Sequence, residues 1–218
     1  MKPRRASRAK DALTRTEVVF MILGLLIVVF FWVINRMSTP PGPMPHDVCV
    51  ENLKQIGWAF REWEGDHNDR FPMQVSTADG GAKELIAAGD IAAPFQVLSN
   101  ELPTPKVLIC PEDKNHVTAT NFSAINNSHV SYLVGLDAND RYPQRILSGD
   151  DNFAIGGVPV RSGLLYLWTN DPISWTAVRH GFRGNIVLSD DSVQQTTQLG
   201  LRQALQQTGL ATNRLAIP

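Results

Sequence analysis

The stretch Asp47–Gly65, DVCVENLKQIGWAFREWEG, decides how the rest of the chain is read. Cys49, Leu53, Ile56, Phe60 and Trp63 recur at steps of four and three, the spacing that gathers side chains on one face of an α-helix. Asp47 supplies an N-terminal cap, Glu51 falls in the first turn, and Gly65 opens the polar run GDHNDR that stops the helix. A stripe this regular has to be covered by another element. The chain downstream offers strands for that purpose. Short helices are expected at Ala82–Ala88 and Ala93–Asn100, then a strand over Val107–Ile109 closing at Cys110 and Pro111. Further strands are expected at His129–Val134, Leu164–Trp168 and Asn185–Leu188. The last of these turns through Ser189, Asp190 and Asp191 into Ser192–Thr196 as a hairpin. A closing amphipathic helix is expected over Leu199–Gln207. The fold class is therefore α+β, an amphipathic helix packed on a mostly antiparallel sheet.

Upstream of the helix, STPPGPMP (38–45) holds four prolines and a glycine and cannot continue a helix, so it reads as a linker. Before it, Val18–Ile34 reads VVFMILGLLIVVFFWVI, seventeen residues without a polar side chain. With its flanks the run reaches the roughly 30 Å needed to cross a hydrocarbon core, and it is longer than the apolar stretch of a secretory signal, with no small-x-small site after it. An uncleaved transmembrane anchor is expected. Residues 1–17 carry six Lys or Arg against Asp11 and Glu17, a net of +4. By the positive-inside rule this end stays in the cytoplasm. Beyond Met37 there are thirteen Lys or Arg against nineteen Asp or Glu, a net of −6, which argues against a nucleic-acid partner. The chain thus divides into a basic leader-like segment (1–17), a membrane helix (18–37), a linker (38–46) and an extracytoplasmic domain (47–218).

Three blocks carry a family resemblance. Ala12–Gly24, ALTRTEVVFMILG, resembles the leader of type IV pilins and type II secretion pseudopilins, with an acid at the fifth position after the cleavage point. Cys49–Phe60, CVENLKQIGWAF, followed by DHNDRFP at 66–72, is similar to the C-x-N-N-L-K-Q-I-G-x-A block and downstream G-x-F-P of pilin-like proteins from planctomycetes and verrucomicrobia. His180–Asp191, HGFRGNIVLSDD, resembles the H-x9-D-G motif of the same prepilin-associated family, with Asp191 where glycine is usual. The resemblance implies a pilin-like domain in the periplasm behind an inner-membrane anchor. It also implies cleavage by a prepilin-type peptidase after Ala12, methylation of the new N-terminus at Leu13, and neutralisation by Glu17 of a neighbouring subunit's amine. Assembly with like subunits through the apolar helix follows, and no enzymatic activity. The departures are Ala12, Leu13 and Arg15, where glycine, phenylalanine and an apolar residue are usual.

Read from the residues alone, His180 and Asp190 flank a strand and a hairpin and form a minimal general-base pair, but no third partner and no hydrolase motif accompany them. A structural role is expected instead, with His180 bonding the corner that Asp190 and Asp191 turn and Asp191 adopting a positive φ. The other histidines, His46, His67, His116 and His129, have no ligand spacing and are expected at the surface. Two acidic loops, with Asp137 and Asp140 in the first and Asp150 and Asp151 in the second, offer oxygens that calcium uses, but not at EF-hand spacing, so solvated turns are expected and no cofactor. Cys49 and Cys110 lie in an oxidising compartment by this topology and are expected to pair as a disulfide. Two rival functions remain open: a permanently anchored binding or envelope protein that keeps its leader, and an anchored hydrolase built on His180.

Overall fold

The computed structural model describes residues 14–37 and 45–218, so the leader with Ala12 and Leu13 and the linker at 38–44 lie outside the described residues. The chain separates into two units, Met1–Gly42 and Pro43–Pro218.

The described residues of the first unit form one helix, α1 (Arg15–Met37), exposed along its described side chains. It is long and apolar enough to cross a membrane. Its first turn is closed by a reciprocal cap: Thr14 donates to the Glu17 carboxylate from its amide (2.8 Å) and its hydroxyl (2.9 Å), while the Glu17 amide donates back to Thr14 Oγ1 (3.4 Å).

In the second unit, α2 (Pro45–Gly65) starts on a proline, which suits a first helical position because its missing N–H has no partner there anyway. The apolar seam is buried as its period requires: Leu53, Ile56 and Phe60 are 0% exposed and Trp63 5%. Two short helices follow, α3 (Lys83–Ala87) and α4 (Ala93–Val97). The strand expected at Val107–Ile109 is a 3-10 turn, Pro105–Leu108, instead. Pro105 fixes φ, the Thr104 hydroxyl accepts the Lys106 amide at 3.1 Å, and Val107 and Leu108 reach the core by coiling rather than by pleating.

Nine strands follow: β1 (Tyr132–Gly135), β2 (Ile146–Asp150), β3 (Phe153–Ile155), β4 (Val158–Pro159), β5 (Gly163–Trp168), β6 (Ile173–Trp175), β7 (Gly184–Leu188), β8 (Val193–Thr196) and, after helix α5 (Gln198–Gln207), β9 (Thr212–Ile217). Six of them form one antiparallel sheet in the order β5-β9-β1-β2-β7-β8, and β4-β3-β6 form a smaller one. The chain's last strand, β9, lies inside the large sheet between β5 and β1.

The α2 seam joins Phe71, Phe95, Leu108, Tyr132, Val134, Leu147, Val187 and Ala216 in one core. Leu201, Ala204 and Leu205 of α5 join Leu133, Ile186, Leu188, Leu215, Trp175 and Phe153 in the other. Alternate residues of β1, β7 and β9 thus go to opposite cores, as a strand's period of two dictates. Gly57 lets α2 close on β7, since a Cβ there would stand 2.9 Å from Val187 Cγ1.

Candidate functional site

The chemistry-bearing side chains converge around His180, which enters the chain on a strained turn. His180, Gly181 and Phe182 have φ of 53°, 56° and 64°, a left-handed run that bulky residues hold only when their surroundings fix it. Those surroundings come from three other segments. The His180 amide donates to Glu112 Oε2 at 2.7 Å. Its ring, with no exposed side-chain surface, has Nε2 3.4 Å from Cys110 Sγ and 3.6 Å from Asp150 Oδ2. Its Nδ1 lies 2.9 Å from Glu112 Oε2 but misses hydrogen-bond geometry. The His46 ring meets it edge-on at 4.8 Å.

Next to it the Arg179 guanidinium is the positive centre of the cluster, 5% exposed. It donates to Asp113 Oδ2 (3.1 Å) and to the Ser131 carbonyl (3.2 Å), and it pairs with Asp151. Asp113 also contacts His116 Nδ1 at 2.7 Å. Asp150 is fully buried at the end of β2, and its Oδ2 accepts the Asn185 amide at 2.7 Å and the Asn185 side chain at 2.9 Å.

Burial sets the protonation. It pushes the Asp150 carboxyl up against the opposing pull of His180 and Arg179. It holds the His180 imidazole below its ordinary value against the pull of Asp150 and Glu112. At Asp113 burial raises the carboxyl, yet the His116 hydrogen bond and the Arg179 charge outweigh it and leave the group well below the usual range.

Cys49 and Cys110 are joined in a disulfide with their Cα atoms 5.3 Å apart. Donor atoms of Cys49, Cys110 and His180 lie within 4.8 Å of one another, but sulfurs bonded to each other are not thiolate ligands. The four candidate calcium carboxylates are occupied by protein groups. Asp137 takes the Arg214 guanidinium at 2.8 and 2.6 Å, Asp140 takes Arg61, Asp151 takes Arg179, and Asp150 takes Asn185.

Several expectations are corrected here. His180 makes no hydrogen bond to the Asp190–Asp191 corner. The five residues of β7 separate the two, and Asp190 instead accepts from the Ser192 amide (3.1 Å) and hydroxyl (2.6 Å). The corner itself turns as expected, with Asp191 at φ 63°. His46 and His116 are half-buried parts of the cluster rather than surface residues, and His67 stacks on Trp63 at 3.5 Å. Glu112, Asp113 and Arg179 went unread because, His116 beside Asp113 apart, their partners come from distant segments.

The arrangement is a clasp. It ties the start of α2, the loop at 110–116, the end of β2 and the loop at 176–183 to one another, and it encloses the His180 ring. Comparison with known protein families, with characterised proteins and with solved structures finds no match.

Proposed function

We propose that the chain is a non-enzymatic, membrane-anchored, pseudopilin-like subunit of a type II secretion or type IV pilus-like system, with its N-terminus in the cytoplasm and its domain in the periplasm. The observation that carries this reading is Glu17 in the first turn of a long helix, immediately before its seventeen-residue apolar run Val18–Ile34. An acid at the edge of such a span is costly and needs a partner. Its carboxylate already reaches back to Thr14, one residue from Leu13, so an ammonium at Leu13 of a neighbouring copy would meet a carboxylate placed to receive it. The three family-like blocks in order along the chain support the same reading, as does an amphipathic helix laid on an antiparallel sheet.

The test is intact-mass and N-terminal analysis of the protein from its native membrane. A chain beginning at Leu13 with one added methyl group is expected. A chain beginning at Met1 would overturn subunit processing and move the function to a permanently anchored binding protein. A start beyond Met37 would make α1 a removed signal sequence.

A further inference from the structure

We propose that neighbouring copies join edge to edge, β5 of one against β8 of the next, so that the six-stranded sheet runs on from domain to domain. This deepens the pseudopilin-like reading and rests on it for the presence of many copies in one membrane.

The first observation is an edge strand capped only at its Trp168 end, where the Asp171 carboxylate takes the outward amide. Among the described residues β5 pairs only with β9, and its residues GLLYLW include no charge and no proline, the usual protections of an edge strand. Leu164, Tyr166 and Trp168 stand on the α2 side of the sheet at 41%, 62% and 60% exposure, beyond α2, which lies over β2, β7 and β8. The Thr169 amide points inward to the Ala211 carbonyl while the Trp168 amide turns outward to Asp171. By the strand's alternation, Leu164 and Tyr166 offer their amides to the open side. At the other end of the sheet β8 pairs, among the described residues, only with β7, and VQQT is likewise uncharged.

The second observation is register. One lateral row of the sheet passes through Leu164, Ala216, Val134, Ser148, Val187 and Val193. Six strands alternate in direction, so a second copy in the same orientation meets the first with its β5 antiparallel to β8. A joint of two different edges does not close on itself and propagates. Extending the row places Leu164 of the next copy beside Val193, and Ser162 beside Gln195.

The third observation is charge. Along β5, Tyr166 and Leu164 wall a pocket of about 470 Å³ that holds Lys83, Arg145 and Arg214 against one acid, Asp137. Asp137 is taken by Arg214. Lys83 has no ion-pair partner among the described residues, and Arg145 Nε is buried without one. The extended row brings the Asp190–Asp191 corner of one copy level with Tyr166 of the next, at the mouth of that pocket. A domain of net −6 otherwise repels its own kind, so a local match of opposite charge fixes both the choice of edge and the register.

The experiment uses the full chain in proteoliposomes, with Ser162→Cys and Gln195→Cys in one protein, oxidised and run on a non-reducing gel. Both positions are exposed. A ladder of dimer, trimer and higher species is expected from the double variant, and monomer from each single variant. Adding Lys83→Glu is expected to cut the ladder at least tenfold, and adding Asp190→Lys to that protein to restore it. Monomer alone from a double variant with wild-type unfolding behaviour overturns the proposal, whatever the N-terminus proves to be. Dimers from a single variant overturn it in favour of a two-fold joint, and a ladder indifferent to Lys83→Glu overturns the charge-matched register. The N-terminal analysis decides the subunit reading separately.

Discussion

Replacing both cysteines by alanine isolates what the covalent link contributes. Cys49 and Cys110 are 61 residues apart in sequence, and closing a loop of that length removes about 14 cal/mol/K from the unfolded chain on the entropy treatment, or about 4 kcal/mol at 25 °C. Both residues are 0% exposed, so losing each sulfur also leaves a small void, on the order of 1 kcal/mol. The expected cost of Cys49→Ala with Cys110→Ala is therefore about 4–6 kcal/mol, a large share of the roughly 5–15 kcal/mol that keeps a domain folded. The assay is urea unfolding of the full chain in a non-denaturing detergent, followed by the fluorescence of Trp63 and Trp175, both buried. Wild-type protein under a strong reductant should fall to nearly the same midpoint, since it loses the same link. A cost below about 1 kcal/mol, or two free thiols counted on unfolded but unreduced wild-type protein, would refute the reasoning.

Glu64 is 4% exposed, and burial raises its carboxyl to about 7 despite Arg61 at 2.8 Å. Because the folded value lies above the unfolded one, the wild type is expected to lose stability as pH rises from about 4.5 to 7 and then level off. The loss is about 3 kcal/mol at most, and Glu64→Gln should flatten that slope; parallel pH slopes in urea titrations of the two proteins would exclude it. Leu53→Ala should cost about 2–5 kcal/mol by the same unfolding assay, because its side chain is wholly enclosed where α2 meets the sheet; a cost under about 1 kcal/mol would mean α2 is not seated there. His180→Asn keeps a residue that tolerates a positive φ but removes the ring. It should cost about 1–3 kcal/mol and speed proteolysis within 176–183, whereas an unchanged midpoint would show that the clasp holds without the imidazole.

What could be read in advance depended on whether the signal was local. The α2 seam was legible because burial at Leu53, Ile56, Phe60 and Trp63 repeats with the helix period, and β5, β7 and β8 were legible because an apolar run or a hairpin marks them. β2 was not: Ser148, Gly149 and Asp150 are small or polar, yet all are buried in a central strand where Ser148 Oγ reaches the Leu133 carbonyl at 2.8 Å. β9 hides behind a helix in a short segment with Arg214 in its middle. Val107–Ile109 looked like a strand because three apolar residues carry no period that separates coiling from pleating. The cysteine pairing followed from there being two cysteines in one compartment. The ion pairs of the clasp did not, since Glu112, Asp113, Asp150 and Arg179 meet only once the sheet has brought their loops together.

The disulfide also decides how a mechanical load is carried. A pull applied to the N-terminal end of α2 enters at Pro45 and meets Cys49 after about 6 Å of helix. There it passes through a covalent bond to Cys110, at the foot of the loop that the clasp fastens to β2 and β7. Tension therefore bypasses everything between the two cysteines, including the rest of α2, and reaches the sheet directly. With the bond cut, the same pull would peel α2 from the sheet turn by turn, each turn yielding separately, so the bond is where this domain resists being drawn open from the start of α2.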